Sequence, residues 1–252
     1  MRNLFFKITF DGSQFHGWQI QNDLRTVQGE LKNAFKSLTG EDVVINGCSR
    51  TDAGVHAKEY CFNVKTETTI PCDSFPVALG SFLTPEILVV SCNEASLEFN
   101  AQFDAVSKEY EYVFLNTEKL SPFMYKKVCH YKYKKLDENF LNEACQSFLG
   151  EHDFSAFCAS GATVVSKVRT IYSASVRREG DMVIFKVRGN GFLYNMVRIM
   201  AGTLLYVAEG KIKKEEILKI IESGDRKNAG ITAIPDGLYL NKVFYGSENY
   251  ED

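Results

Sequence analysis

The chain is short of the features that would tie it to a membrane, a metal or a nucleotide cofactor. No apolar run approaches the roughly 20 residues needed to span a bilayer. The start, Met1-Arg2-Asn3-Leu4-Phe5-Phe6, reaches Lys7 too soon for a signal peptide. A cytoplasmic protein without a membrane partner is expected. The seven cysteines (Cys48, Cys61, Cys72, Cys92, Cys129, Cys145, Cys158) are odd in number and hold no C-x-x-C pair. They read as reduced, mostly structural thiols, not a disulfide framework or a zinc site. His16, His130 and His152 stand apart, with neither metal-ligand spacing nor a serine motif beside them. No G-x-G-x-x-G follows a strand, and Gly189-Asn190-Gly191 is too sparse for a dinucleotide loop. Neither metal nor cofactor is expected.

What is present is an ordinary globular composition, 45% hydrophobic and 24% charged over 252 residues. That is enough for one large domain or two modest ones. The net charge of −3 argues superficially against a nucleic-acid partner, but the charge is uneven. Residues 1–105 hold 8 Lys+Arg against 13 Asp+Glu, residues 106–252 hold 21 against 19, and residues 166–214 hold 10 against 3. Phosphate binding needs a basic face, not a basic total. The stretch is either such a face, with Lys167, Arg169, Arg177 and Arg188 as candidate RNA contacts, or simply a solvated one.

Periodicity divides the chain into two α/β halves, 1–105 and 106–252. In the first, strands are expected at Leu4–Phe10, Val43–Cys48, Tyr60–Lys65 and Glu86–Cys92, with a loop over 49–59. Thr26 caps a helix whose apolar face is Val27, Leu31, Ala34, Phe35 and Leu38, and Gly40 stops it. A short helix is expected over Ser74–Phe82. The second half repeats the pattern loosely, with a strand at Val128–Tyr133 and then a helix carrying Asn139, Phe140, Ala144, Phe148 and Leu149. A hairpin follows, Lys167–Arg177 with Met182–Arg188, and then helices over Tyr194–Ala208 and Lys213–Glu222. A last strand is expected near Leu238–Phe244. The expected class is α+β, with mainly antiparallel sheets.

The stretch Gly47-Cys48-Ser49-Arg50-Thr51-Asp52-Ala53-Gly54-Val55-His56-Ala57 packs an Arg, a carboxylate and a His into seven residues of a loop. Arg50 and Asp52, two apart, face the same way in an extended segment. A nearby cation keeps a carboxylate ionised, as a nucleophile or base requires. The plain structural alternative is that Asp52 caps a turn over 53–57 and His56 fills space. Arg198 is the lone charge in Asn195-Met196-Val197-Arg198-Ile199-Met200-Ala201-Gly202. If buried it needs a carboxylate, and Asp52 is a candidate; otherwise its stem packs and its head reaches water. In Lys108–Phe114, Tyr110, Tyr112 and Phe114 share one side of a strand. Such tyrosines are core in most strands, or can stack on a nucleotide taken out of its helix.

Together these residues resemble the tRNA pseudouridine synthase A family. Arg50–Ala57 resembles its catalytic motif. Phe10-Asp11-Gly12-Ser13, Gly17–Gln21, Thr26–Leu31, Ser107–Tyr112, Gly150–Phe157, Arg169-Thr170-Ile171, Met196-Val197-Arg198 and Gly237–Leu240 match other family segments in order, over nearly the whole chain. The resemblance implies a cytoplasmic homodimer with two ferredoxin-like halves whose sheets join, the pseudouridine synthase fold. It implies a cofactor-free isomerisation of uridine to pseudouridine at positions 38 to 40 of the tRNA anticodon stem-loop. By that resemblance Asp52 is the catalytic carboxylate, as nucleophile or base. Arg198 would pair with it, Arg50 would fill the space the flipped base leaves, and Tyr110 would stack on the target base. Some segments depart from the pattern. Phe99-Asn100-Ala101-Gln102-Phe103 stands where F-H-A-R-F is usual, Glu109 and Glu111 replace basic residues, and Gly230-Ile231-Thr232-Ala233-Ile234-Pro235 replaces a G-P-T-A-P pattern. These leave open the same chemistry on another RNA, or RNA binding without catalysis.

Overall fold

A computed structural model describes residues 1–161 and 164–246. The main elements in chain order are β1 (Arg2–Phe10), α1 (Val27–Thr39), β2 (Ile45–Gly47), β3 (His56–Thr66), α2 (Phe75–Gly80), β4 (Ile87–Ala95), β5 (Ala105–Leu115), β6 (Cys129–His130), α3 (Glu138–Cys145), β7 (Gly150–Asp153), β8 (Val168–Glu179), β9 (Met182–Gly189), α4 (Met196–Ala208), α5 (Ile217–Ser223) and β10 (Leu238–Tyr245). Two compact units result: Met1–Val106 with the segment from Tyr239 on, and Ser107–Leu238.

The first unit has the β-α-β-β-α-β sequence of a ferredoxin-like motif, its strands ordered β4-β1-β3-β2. The four are antiparallel neighbours, while β10 adds to the N-terminal end of β3 in parallel, Tyr239 opposite His56. Thr26 accepts a hydrogen bond from the Gly29 N–H at the start of α1, and Gly40 ends the helix at φ +76°. The helices are clamped to the sheet by aromatics. Phe6 stacks on Phe62 at 4.8 Å, and Phe35 of α1 and Phe75 of α2 meet its ring edge-on at 5.5 and 5.3 Å.

In the second unit the strands run β5-β9-β8-β7, all antiparallel, with the short β6 parallel to β5. The β8–β9 hairpin turns through Gly180 and Asp181, Glu179 facing Met182, with Gly180 at φ +58°. The helix α4 is buried on nearly every side. Gly202 and Gly230 allow residues 229–233 to lie directly on it: a Cβ on Gly202 would run into the Ile231 carbonyl, and one on Gly230 would sit 2.5 Å from Thr203 backbone.

Several sequence expectations need adjustment: the strand expected over Val43–Cys48 shortens to Ile45–Gly47, and the helix expected to include Leu149 is α-helical only to Cys145, followed by a 3-10 turn over Gln146–Phe148. The loop expected over 49–59 ends at Val55, because Ala57 pairs with Phe10 of β1 and both His56 and Ala57 pair with β10, remote in sequence. The strand expected over Val128–Tyr133 shrinks to Cys129–His130. There the Asn116 amide donates to the Tyr131 and Lys134 carbonyls, at 3.0 and 2.9 Å, and draws the chain out of the ladder. The break expected after residue 105 lies at Val106, and the segment from Tyr239 groups with the first unit through its pairing with β3.

Candidate active site

Asp52 lies half-buried on the loop joining β2 to β3, with Arg50 exposed beside it. The loop is set by its backbone. The Cys48 N–H donates to the Cys61 carbonyl (2.9 Å), Trp18 N–H to Thr51 (3.1 Å), and Gly54 N–H to Phe15 (3.2 Å). The Tyr60 hydroxyl bonds the Ser49 carbonyl. Val55 N–H closes a four-residue turn back to the Asp52 carbonyl at 3.2 Å, and Gly54, third in that turn, has φ +80°. A type II turn needs that angle there, which is why glycine follows Asp52-Ala53.

The segment 12–18 is the brace for this loop. A Cβ on Gly12 would overlap the Val55 carbonyl, and one on Gly17, at φ +89°, would sit 2.6 Å from the Thr51 carbonyl. Trp18 stacks on Tyr60 at 4.0 Å. The Phe10–Ser13 and Gly17–Gln21 segments therefore have a mechanical purpose: bare backbone at Gly12 and Gly17 lets two loops touch. A Gly17→Ala protein should lose about 1–3 kcal/mol from overpacking and its left-handed φ, lowering Tm by several degrees, and it should slow the isomerisation that the resemblance implies. Wild-type melting and rate together would show that the brace does not hold the loop.

His56 resolves as a structural pin. Its ring is buried and stacks on Tyr239 at 4.7 Å. Its Nδ1 lies 3.1 Å from the Gly12 N–H and 3.0 Å from the Asp11 carboxylate, so the tautomer decides which of the two it bonds. Asn100, where the family usually has His, is also local: its Oδ1 accepts from the Gln102 and Phe103 N–H groups, closing a turn, while Gln102 is exposed.

In the second unit Tyr110 is buried on β5, and Phe192 meets its ring edge-on at 5.1 Å. Phe192 went unnoticed in the sequence; its only signal was an aromatic just after Gly189-Asn190-Gly191. The flanking carboxylates are answered from neighbouring strands, Glu109 by Lys186 (2.9 Å) and Glu111 by Arg177 (3.1 Å). Arg198, half-buried on α4, donates through Nε to the Ala233 carbonyl (2.7 Å) and through Nη1 to Asn195 Oδ1 (2.6 Å). The Gly230–Pro235 segment thus orients this arginine by its backbone.

The candidate RNA contacts in 166–214 are all half-buried. Arg177 also bonds Glu179 (2.7 Å), Arg169 turns back onto the Ser166 and Val168 carbonyls, and Arg188 donates to the Ser107 hydroxyl. The seven cysteines are free thiols. Among the described residues no group of His, Cys, Asp and Glu is placed to hold a metal ion, and no helix is long and apolar enough to cross a membrane.

A family model described as tRNA pseudouridine synthase matches residues 144–246. Over 245 residues, 97% of this chain and 100% of each relative, the chain is 44% identical to the tRNA pseudouridine synthase A of Thermoanaerobacter sp. (strain X514). The same figures hold for tRNA pseudouridine synthase A 2 of Clostridium perfringens (strain 13 / Type A) and tRNA pseudouridine synthase A of Caldicellulosiruptor saccharolyticus. One chain of a solved Cbf5-Nop10-Gar1 complex is similar with a TM-score of 0.35 at 12% identity, covering 96% of this chain and 59% of that one. The chain belongs to the tRNA pseudouridine synthase A family.

Proposed function

We propose that the protein isomerises uridine to pseudouridine in the tRNA anticodon stem-loop, at positions 38 to 40, with Asp52 as the catalytic carboxylate. The reaction breaks the bond from N1 to the sugar C1′, turns the uracil, and joins C5 to C1′. N1 gains a proton and C5 loses one, so atoms and electrons balance without an oxidant or reductant. A protein that does this must hold one ionised carboxylate against a base removed from its stack. The observation that carries the reading is the intact Arg50–Ala57 motif on a loop whose shape is braced by Gly12, Gly17 and Trp18. Binding alone gives no reason to hold a carboxylate in a loop so tightly determined.

The remaining roles follow the family resemblance. Arg50, exposed beside Asp52, fills the gap left by the flipped base. Tyr110 stacks on that base, with Phe192 backing its ring. Arg198 keeps the Asp52 carboxylate charged. Lys167, Arg169, Arg177 and Arg188 contribute phosphate contacts, and the working form is a cytoplasmic homodimer. Mapping pseudouridines in cellular RNA with and without the protein tests the whole reading: it requires loss at 38 to 40 of tRNA. Loss confined to another RNA would favour the same chemistry on a different substrate, a reading to which Asn100 and Gln102 lend weight because they replace the usual His and Arg. No change in any RNA would leave a binding protein.

If Tyr110 acts by stacking, Tyr110→Phe should keep most of the activity and Tyr110→Ala should lose about 1–3 kcal/mol of substrate stabilisation, roughly 5- to 150-fold. Equal losses in kcat/KM for the two variants would assign the work to the hydroxyl instead.

A further inference from the structure

A second basic cluster, with exposed lysines, lies outside the stretch with the highest basic count. In 166–214, five of the ten basic residues face a carboxylate: Arg177, Arg178, Lys186, Lys211 and Lys214. Residues 119–135 differ. They hold six lysines (Lys119, Lys126, Lys127, Lys132, Lys134, Lys135) and no Asp or Glu. Lys119, Lys132, Lys134 and Lys135 are exposed and form no ion pair among the described residues. Aromatics stand among them in water, Phe123 at 91%, Tyr125 at 63% and Tyr133 at 78% exposure. A solvated charge run gives no reason for three exposed rings.

The segment is also built, not loose. Phe114 and Leu115 of β5 pair with Cys129 and His130. Asn116 bonds the Tyr131 and Lys134 carbonyls and accepts from the Leu136 N–H at 2.8 Å, and His130 bonds the Thr117 carbonyl at 2.8 Å. Tyr131 is buried and meets Tyr133 edge-on at 5.5 Å, so the exposed ring stands on a fixed base. Ammonium groups alternating with accessible rings suit a single-stranded or looped RNA: the charges meet phosphates and the rings stack on unpaired bases. An acidic chain that must hold a polyanion needs its positive field concentrated somewhere, and four exposed lysines within seventeen residues supply such a concentration here.

We propose that residues 119–135 form a second RNA-contacting surface, on the second unit, that grips the phosphate backbone and an unpaired base of the tRNA other than the uridine being modified. The proposal rests on the reading that tRNA is the substrate. Its test uses the full-length protein carrying K132S, K134S and K135S together, and separately F123S with Y125S, assayed on an unmodified tRNA transcript across a KCl series. All five positions are exposed, so Tm should hold. The triple variant should raise KM about tenfold, the effect falling on KM and not on kcat. Its log–log salt slope should become shallower by roughly 0.7–0.9 for each lost phosphate contact. The aromatic pair should raise KM with the slope unchanged.

Wild-type KM and slope in the triple variant would overturn the proposal. A shift of the aromatic pair from dimer to monomer in gel filtration, with KM unaltered, would instead make the face an interface between copies. Loss of binding to phosphatidylglycerol vesicles at unchanged KM would make it a membrane surface. Failure of the wild-type protein to modify any tRNA would overturn the substrate reading itself, a result separate from all of these.

Discussion

An Asp52→Asn protein is expected to melt like the wild type, bind tRNA with similar affinity, and turn over at least about 10⁴-fold more slowly. The shape of the loop has a backbone origin. It is held by backbone bonds from Trp18, Gly54 and Val55 and by the close approach of Gly12 and Gly17. An amide has nearly the shape of a carboxylate, so the brace still closes on it. What disappears is the negative charge and the basic oxygen needed to attack the nucleotide or take its proton. Because C5 loses its hydrogen in the product, release of tritium from tRNA labelled at uridine C5 reads the reaction directly. Tritium release by the purified variant at a measurable fraction of the wild-type rate would remove Asp52 from its proposed role.

Arg198→Met should cost activity more than stability, with about a 100-fold fall in turnover and a modest drop in Tm. Methionine keeps an apolar stem on α4, whose packing through Met196, Ile199, Met200 and Leu204 is untouched. The local losses are the donors to the Ala233 carbonyl and to Asn195 Oδ1, each worth roughly 1–2 kcal/mol at this half-buried site. The functional loss is larger if this guanidinium keeps Asp52 ionised. Removing a cation raises the pKa of a neighbouring carboxylate by about 1–3 units. A raised pKa means the ionised, active form is lost at a higher pH as acid is added. The acid limb of the kcat profile, measured with tRNA saturating, should therefore move upward, and part of the lost rate should return at alkaline pH. Arg198→Lys should fall between the two, since lysine retains the charge but cannot reproduce the fork that reaches Ala233 and Asn195 together. Near-normal turnover with an unshifted acid limb would show that Arg198 does not serve Asp52.

How much of this could be read without coordinates follows from the range of the forces involved. The helix α1 was readable to the residue at its start, because Thr26, the Val27-Leu31-Ala34-Phe35 face and Gly40 all act within a turn or two of the chain. The β8–β9 hairpin was readable for the same reason, its turn being two residues long. The Asp52 loop stood out because its motif is contiguous. Tertiary structure alone decided what touches across the fold. Nothing near residue 56 in the chain announces that Tyr239 will pair with it, extend β3 and shorten the loop. Glu109 and Glu111 looked like an obstacle to RNA until register set them beside Lys186 and Arg177. Gly12, Gly17 and Gly202 are silent in sequence, since a missing Cβ matters only where another backbone arrives. The charge count favoured 166–214, yet among the described residues five of its ten basic groups meet a carboxylate in the fold, while Lys119, Lys132, Lys134 and Lys135 stay exposed without an ion pair. Side-chain periodicity and turn chemistry are written into neighbouring residues; partners, and the charge that survives them, depend on which distant strands the fold brings together.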